Sequence, residues 1–234
     1  MKTIGIMGAL PEEIDRVMAG LSERKSEDYA GVTYHHGHRA GRRLVVCCAG
    51  IGKANAAATA QVLITKYGAE GLIFSGIAGN MNPEISLGDV VIGQEVFYHD
   101  ASDHLLAASA PGTAVYTAHP LLVDAARQGC ELTGVPYIVG RIATGDQFID
   151  DADTKRRIQQ ACHPDCVEME GAAVGQVAMR NGVPFVVLRA MSDSCDEAWA
   201  TLNAASLDLV KYAETAAAVV VAAIDALKTL DTQI

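Results

Sequence analysis

Short apolar runs alternate with stretches of helical spacing along the whole chain. An element order of this kind packs as a β-sheet that helices cover on both faces. The sequence therefore predicts an α/β fold with a central twisted mixed β-sheet flanked by helices. It contains no low-complexity linker, internal repeat or break in composition, which predicts a single domain over residues 1–234.

The apolar and helical patterns define the predicted elements. Strands are expected at residues 3–7, 32–39, 44–48, 71–75, 90–95, 138–144 and 185–190. Helices are expected at residues 53–67, 121–132, 153–161, 171–181 and 204–230, and Pro11 followed by acidic residues predicts a further helix start. Residues 98–118 lack clear periodicity and are predicted to form a long loop, which in a compact domain is usually functional.

The chain is acidic, with 28 acidic and 18 basic residues and a formal charge of −10. Nucleic acids and anionic membranes bind basic surfaces, so neither is an expected partner. No uncharged run of about 18 apolar residues is present, which predicts no transmembrane helix. The first strand follows Met1 and Lys2 without a signal peptide, and the six cysteines are scattered. These features predict a cytoplasmic protein with reduced thiols.

Two segments bear a partial likeness to metal or cofactor motifs. Cys162, His163 and Cys166 lack a second pair of ligands, so a zinc site is not expected. Residues 50–55 match only the first two glycines of a dinucleotide-binding loop and lack the Gly-Lys-Ser/Thr of a P-loop. A tight strand-to-helix turn is therefore the better interpretation of this segment. The sequence predicts no metal and no cofactor.

Polar or glycine-rich loops follow four of the predicted strands, at residues 8–13, 75–80, 145–150 and 189–193. Ligands of α/β sheets bind at the carboxyl ends of the strands, so these loops are expected to converge on one site together with residues 168–170. Buried carboxylates are costly unless they hold something. Glu168 and Glu170 therefore either complement the dipole of the following helix or bind a small polar ligand, and Glu12 and Glu13 leave the same two options open.

Eight ordered segments of the chain resemble the 5′-methylthioadenosine/S-adenosylhomocysteine nucleosidases of the nucleoside phosphorylase superfamily. Each segment alone is weakly specific, whereas eight at family-like spacing over nearly the whole chain are highly specific. The segments are Gly5–Leu10 with Glu12 and Glu13, Ala49–Lys53, Ser75–Gly79, Leu87–Val91, Tyr98–Ala101, Gly145–Ile149, Val167–Glu170 and Arg189–Asp193. The resemblance implies a nucleoside phosphorylase-like fold.

The resemblance also implies a reaction, the hydrolysis of the N-glycosidic bond of 5′-thioadenosines to adenine and 5′-thioribose. Breaking this bond builds positive charge on the ribose and negative charge on the departing base. The resemblance makes Glu13 the general base that activates water and Asp193 the general acid at N7 of adenine, with Arg189 helping to hold the water. An acid–base pair of this kind is typical of glycoside cleavage and needs no metal.

The remaining implied residues bind the substrate. By the resemblance, Glu170 binds the ribose hydroxyls and Met169 packs against the sugar. Phe148 stacks on the purine, and the backbone of Ile149 reads its Watson–Crick edge. The expected substrate site is completed by Ile77, which stands where many relatives have Ser, and by Gly79 and Ser192.

Three alternatives to this hypothesis stay open. A nucleoside phosphorylase must hold phosphate, typically with arginines in the early loops, and residues 8–13 and 75–80 contain none. An aminodeoxyfutalosine-type substrate is a second alternative, because residues 102–118 carry Leu105, Leu106 and Tyr116 where relatives carry the aromatic residues that close the 5′ pocket. A non-catalytic adenosine-binding module is the third, although binding alone does not require all three carboxylates.

The resemblance implies a homodimer as well. Relatives complete each active site with a segment from the neighbouring subunit, and residues 102–118 correspond to that segment. An aliphatic stretch at 105–116 is also unfavourable to leave in water. The sequence therefore predicts a dimer in which residues 102–118 lie near the neighbour's site.

Overall fold

The computed structural model describes residues 1–195 and 206–230, which form a mixed β-sheet with helices on both faces. The strands are β1 (Thr3–Gly8), β2 (Ser22–Tyr29), β3 (Val32–Arg39), β4 (Arg42–Cys48), β5 (Gly71–Asn80), β6 (Val90–Tyr98), β7 (Val115–Thr117), β8 (Tyr137–Thr144), β9 (Cys166–Glu168) and β10 (Phe185–Asp193). The helices are α1 (Asp15–Ala19), α2 (Lys53–Thr65), α3 (Asp103–Ala107), α4 (Pro120–Thr133), α5 (Ala152–Cys162), α6 (Gly171–Arg180) and α7 (Ser206–Leu230), and a 3-10 helix spans Pro11–Glu13.

The sheet combines an open half with a closed half. In the open half the strands follow the order β2-β3-β4-β1-β5, with β1 parallel to both β4 and β5. In the closed half β5 pairs with β10 and β9, and β6 and β8 connect these two, so five strands form a ring. This arrangement confirms the predicted α/β fold with a mixed sheet. The sequence did not predict that five of the strands close into a ring.

Two aliphatic cores hold the helices on the sheet. Alternate residues of β1 point to opposite faces, so that Ile4 and Ile6 belong to one core and Met7 to the other. Small residues of α2 and α6 cover the Met7 side, and α4 and α7 cover the side of Ile4 and Ile6. The abundance of Ala in these helices lets them approach the strands closely.

The sequence patterns missed the three strands β2, β7 and β9 and the helix α3, and they misjudged the helix start at Pro11. Strand β2 reads SERKSEDY and is exposed along its whole length, so it has no apolar alternation to reveal it. It forms because it pairs antiparallel with β3 at the edge of the sheet. The helix start predicted at Pro11 is a 3-10 turn followed by the short helix α1.

The prediction of a continuous loop at residues 98–118 was wrong. Helix α3 and strand β7 lie inside it, and β7 pairs antiparallel with β6. Tyr116 of β7 is fully buried and meets Tyr98 edge-on, with ring centroids 6.0 Å apart. A single aromatic residue anchors this short strand, which explains why no periodic pattern marks it.

Several strands extend further than the apolar runs predicted. Strand β5 continues to Asn80 and β10 to Asp193, so Ile77, Gly79 and Ser192 lie on strands and not in loops. The long helix predicted from residue 204 is α7, described from Ser206, and residues 204–205 lie outside the described part of the chain. The carboxyl ends of β1, β5 and β10, three adjacent parallel strands, reach the same edge of the sheet.

Candidate active site

A cavity of about 400 Å³ opens at the carboxyl ends of β1, β5 and β10. All ten site residues predicted from the sequence line it. They are Glu13, Ile77, Gly79, Phe148, Ile149, Met169, Glu170, Arg189, Ser192 and Asp193. They come from five separate segments of the chain, which the parallel strands bring together at one edge of the sheet.

Glu13 ends the 3-10 helix and is almost fully buried. Its Oε2 accepts hydrogen bonds from the backbone N–H of Ala9 at 2.6 Å and of Leu10 at 3.1 Å, and its Oε1 accepts one from the N–H of Ile77 at 3.0 Å. Burial raises the pKa of Glu13, although Arg189 and these N–H groups act against the shift. The result is a fixed carboxylate with a strengthened affinity for protons.

Arg189 lies in the interior at the base of the cavity and forms ion pairs with Glu168 and with Glu170, the latter at 3.1 Å. Its guanidinium carbon stands 4.5 Å from the centre of the Phe74 ring. Charge pairing of this kind is needed because an unpaired buried charge is very costly. Gly76 on β5 makes room for the group, since a Cβ at this position would collide with both Arg189 and Glu13.

The two carboxylates around Met169 have separate surroundings. Glu168 accepts hydrogen bonds from the N–H groups of Glu170 at 3.1 Å and Gly171 at 2.7 Å, where α6 begins, and from the hydroxyl of Thr144. It therefore stabilises the start of this helix, which is the dipole option left open by the sequence. Both carboxylates line the cavity, but Glu170 has different partners.

Glu170 accepts a hydrogen bond from the N–H of Gly52 at 2.8 Å and contacts Arg189. Burial is the main cause that raises the pKa of Glu170, to about 7, and the proximity of Glu168 adds to it while Arg189 opposes it. Gly52 has a φ of 97°, in the region that favours glycine, so the turn at residues 50–52 is built to aim this N–H at the carboxylate.

Asp193 follows an irregularity in β10. The register with β5 shifts between Met191 and Asp193, so that neighbouring residues Ser192 and Asp193 both line the cavity. The hydroxyl of Ser192 donates to Asp193 Oδ2 at 2.7 Å, and the N–H of Cys195 donates to Oδ1 at 2.9 Å. Gly79 lies beside the Asp193 carboxylate. A Cβ added at this glycine would be only 3.1 Å from Asp193 Oδ1.

Apolar residues also line the cavity. They include Met169, Ile149, Phe148, which is 38% exposed, and Ile51, which is 49% exposed. Such exposure of large apolar residues in a cavity lining is typical of a site that a flat or apolar ligand covers. The cavity thus offers a ligand both carboxylates and apolar surface.

Sequence reasoning missed several residues of the lining. They are Ala9, Leu10, Ile51, Ala78, Gln147, Val167, Cys195 and Leu209, and Glu168, which was not among the ten predicted site residues, lines the cavity as well. Most are apolar or lie next to a predicted residue, so their types carry no chemical pattern of their own. Within the described residues no group of three or more His, Cys, Asp or Glu side chains could hold a metal ion, and no helix is long and apolar enough to span a membrane.

Comparison with known proteins shows which family has this arrangement. The model of the phosphorylase superfamily matches residues 3–225. A curated 5′-methylthioadenosine/S-adenosylhomocysteine nucleosidase of Shewanella sp. (strain MR-7) is 37% identical over 199 residues, which cover 82% of this chain and 84% of the relative. The chain belongs to this nucleosidase family.

Solved structures agree with the sequence relatives of this nucleosidase family. A family member from Neisseria meningitidis, in complex with methylthio-immucillin-A, matches with a TM-score of 0.90 at 29% identity and covers 97% of this chain and 100% of its own. A futalosine hydrolase of Helicobacter pylori matches with a TM-score of 0.87 at 28% identity, over 96% of this chain and 98% of its own. The same fold therefore occurs in enzymes that are named for two different substrates.

Proposed function

We propose that this enzyme hydrolyses the N-glycosidic bond of 5′-thioadenosines, releasing adenine and the 5′-thioribose. The observation that carries the proposal is the meeting of Glu13, Glu170 and Asp193 with apolar residues around one cavity. The nucleosidase family to which the chain belongs supports the reaction. The substrate is a small molecule, and the solved relatives that carry nucleoside analogues or adenine agree with this class.

In the proposed reaction the base leaves as the C1′–N9 bond breaks. Asp193 donates a proton to N7, so that adenine departs neutral, and the hydrogen bond from Ser192 fixes the carboxyl group for this transfer. Phe148 and Ile149 hold the base in place beside it. Transfer of this proton removes the need for an anionic leaving group.

The ribose side is proposed to carry the opposite charge. Glu170 hydrogen-bonds the sugar hydroxyls and, when ionised, stabilises the cationic transition state, while Met169 packs on the sugar. Glu13 takes a proton from the attacking water, which bonds to C1′, and Arg189 restrains the carboxylates around it. The raised pKa of Glu13 suits a base, because a carboxylate of ordinary pKa binds the proton too weakly.

Water is favoured over phosphate as the nucleophile. Among the described residues that line the cavity, Arg189 is the one cationic side chain, and two carboxylates already pair with it. Glu13 adds a further negative charge where an anionic nucleophile would sit. The electrostatic surroundings therefore oppose phosphate.

A second candidate is an aminodeoxyfutalosine-type nucleosidase. The observation that favours it is the structural match to a futalosine hydrolase at a TM-score of 0.87. The adenosine core of such a substrate would make the same contacts, and the difference lies in the 5′ group. We rank it second because the curated relatives carry the methylthioadenosine name.

One assay separates these candidates. Methylthioadenosine, adenosylhomocysteine, adenosine, inosine and aminodeoxyfutalosine are incubated with the enzyme, with and without phosphate, and free base is followed. We expect adenine release from the two 5′-thioadenosines at rates that phosphate does not change. Release that requires phosphate would identify a phosphorylase. Faster turnover of aminodeoxyfutalosine than of the 5′-thioadenosines would favour the second candidate. If no base is released from any substrate, the protein is a non-catalytic binding module.

We further propose a cytoplasmic homodimer in which residues 102–118 approach the neighbouring active site. Leu105 on α3 is 69% exposed in the single subunit, which supports the proposal that a second subunit covers it. Leu106 instead packs partly against the core of its own subunit. Tyr116, which the sequence placed with them, is fully buried in its own subunit and does not take part. The proposed contact therefore centres on α3.

A further inference from the structure

Three charged side chains form a cluster beside segments that line the cavity, since Ile51 and Gln147 of the lining are close neighbours in sequence of Lys53 and Asp146. The Nζ of Lys53 lies 2.7 and 2.9 Å from the carboxylate oxygens of Asp100 and 3.5 Å from Asp146 Oδ2. Each residue comes from a different segment, the start of α2, the chain after β6 and the loop after β8. One cation therefore ties three segments together.

Backbone groups complete the ion cluster of Lys53, Asp100 and Asp146. The N–H of Lys53 donates to Asp146 Oδ1 at 2.9 Å, and the N–H of Asp146 donates to Asp100 Oδ2 at 3.0 Å. Although burial raises the pKa of Asp100, Lys53 and the Asp146 N–H outweigh it and hold this pKa below its usual value. The Lys53 and Asp100 side chains are only 24% and 20% exposed, so the pairing is partly shielded from solvent.

The ion cluster adjoins both halves of the proposed substrate site. Lys53 directly follows Gly52, whose N–H holds Glu170 at 2.8 Å. Asp146 begins the segment that carries Phe148 and Ile149 in the cavity wall. Movement of the cluster would therefore move the donor to Glu170 and the wall that contacts the base.

We propose that Lys53, Asp100 and Asp146 are positioning residues, which set the Gly52 N–H against Glu170 and hold the base-contacting segment closed. The inference rests on the proposed function, since it uses Glu170 for the ribose and the 148–149 segment for the base. Without Lys53, two neighbouring carboxylates repel each other and separate the segments. The cluster therefore governs how well the nucleoside is bound more than how fast the bound nucleoside reacts.

The test compares two lysine variants. Lys53→Met removes the charge and keeps an apolar stem. The matched control is Lys66→Met, because Lys66 pairs with Glu27 at 3.1 Å and lies over the Tyr29 ring, away from the residues that line the cavity. We expect Lys53→Met to raise KM for methylthioadenosine about tenfold while kcat stays within about threefold, and Lys66→Met to leave both constants unchanged.

Two further measurements separate positioning from a general loss of structure. Lys53→Arg keeps the charge and is expected to recover most of the wild-type KM. Raising the salt concentration to about 0.5 M is expected to raise KM for the wild type and not for Lys53→Met, since screening weakens only an ion cluster that is present. If Lys53→Met does not fold, Asp146→Asn is measured in its place and is expected to raise KM in the same direction.

A KM for Lys53→Met, or for its replacement Asp146→Asn, that equals that of Lys66→Met overturns the inference. So does a fall in kcat at constant KM, which would assign the cluster to the chemical step. Release of adenine by the wild type in the same assay reports on the nucleosidase reaction itself. Failure of the inference is therefore distinct from failure of the proposed function.

Discussion

Single residues of the same type have different tasks in this cavity. Glu168 and Glu170 are two positions apart and both line the cavity, yet the first accepts the N–H groups at the start of α6 and the second accepts the N–H of Gly52. Glu12 and Glu13 divide in the same way, since Glu12 is exposed while Glu13 is buried and held by three N–H groups. Backbone partners, and for Glu12 and Glu13 also burial, therefore distinguish acids that residue type alone does not.

Glu13→Gln tests the proposed base. The amide keeps the size of the side chain but cannot take a proton from water, so kcat is expected to fall at least about 10²-fold. The control is Glu12→Gln, which changes the exposed neighbour on the same 3-10 helix and is expected to keep wild-type rates. Steady-state turnover of methylthioadenosine is the measurement, and near-wild-type turnover by Glu13→Gln would remove the assigned role.

Asp193→Asn tests the proposed acid. Adenine should be released at least about 10²-fold more slowly, because the amide cannot protonate N7. A 5′-thioriboside with a 4-nitrophenolate leaving group needs no such proton, so the variant is expected to hydrolyse it at close to the wild-type rate. Equal losses on both substrates would show that Asp193 acts in some other way.

Glu170 predicts a pH dependence of both rate and stability. Its pKa of about 7 means that the ionised form, which stabilises the ribose cation, is gained as the pH rises through about 7, so kcat rises there. The folded pKa lies above the usual value of 4.5, so the stability from this group is present below about 4.5 and is lost as the pH rises through about 7.

Glu170→Gln is expected to remove both effects. The inflection of kcat near pH 7 should disappear and the rate should fall by at least about 10²-fold. Thermal unfolding, compared between about pH 5 and about pH 8, should show a smaller decrease in stability than in the wild type. An unchanged inflection in this variant would assign it to another group, such as Glu13 with its own raised pKa.

At the scale of elements, the carboxyl ends of the strands carry many of the residues that line the cavity. Strand β5 brings Ile77 and Gly79, β10 brings Arg189 and Asp193, and the sequence patterns stopped both strands too early. The predicted strands ended too early because polar residues and glycine are typical of loops, whereas here the polar side chains face a cavity inside the protein. The glycines of β5 leave space beside the cavity for the charged side chains of residues that pack against this strand.

Gly76→Ala tests this use of space on β5. The new Cβ would lie 2.8 Å from Glu13 Cδ and would also collide with Arg189, so two anchored charged groups would have to shift. We expect a loss of about 1–3 kcal/mol in the free energy of unfolding together with a large loss of kcat. Ser75→Ala, the change at the adjacent buried position, is the control for urea unfolding and turnover, and comparable effects of both changes would contradict the prediction.

The elements also show what the sequence can and cannot supply. The apolar runs of β1, β4 and β10 and the Ala-rich helices follow from hydrophobic periodicity, so the α/β fold was predictable. The ring closure through β9 was not, because a three-residue strand carries no periodicity. The ten residues that the family resemblance implied all line the cavity, whereas the direction of the Gly52 N–H and the register shift before Asp193 are properties of the backbone that residue types do not encode.

At the scale of the whole molecule, exposed apolar side chains indicate where a second subunit would bind. A single domain over residues 1–234 and a homodimer stay predictions. Leu105 and Leu132 are the two most exposed of the large apolar side chains in the described residues, at 69% and 72%, and they lie on different helices. They therefore provide a matched pair for locating the interface.

Leu105→Glu is expected to weaken the dimer, because a charge would enter the proposed α3 contact. Light scattering after size exclusion should then show a monomer at concentrations where the wild type is a dimer. Leu132→Glu, the same change at the end of α4, should leave the mass unchanged. A dimer that persists in Leu105→Glu, or a monomeric wild type, would refute this position of the interface.

The sharing of one guanidinium between two buried carboxylates has a consequence for inhibitor design. With Glu13 close by, the proposed ribose end of the cavity holds three carboxyl groups around Arg189. A nitrogen heterocycle that carries a fixed positive charge in place of the sugar would gain affinity as the pH rises through about 7, when Glu170 becomes anionic. Fragments with a phosphate or carboxylate at that end would be rejected, so a screening library for this enzyme is best weighted toward cationic sugar mimics.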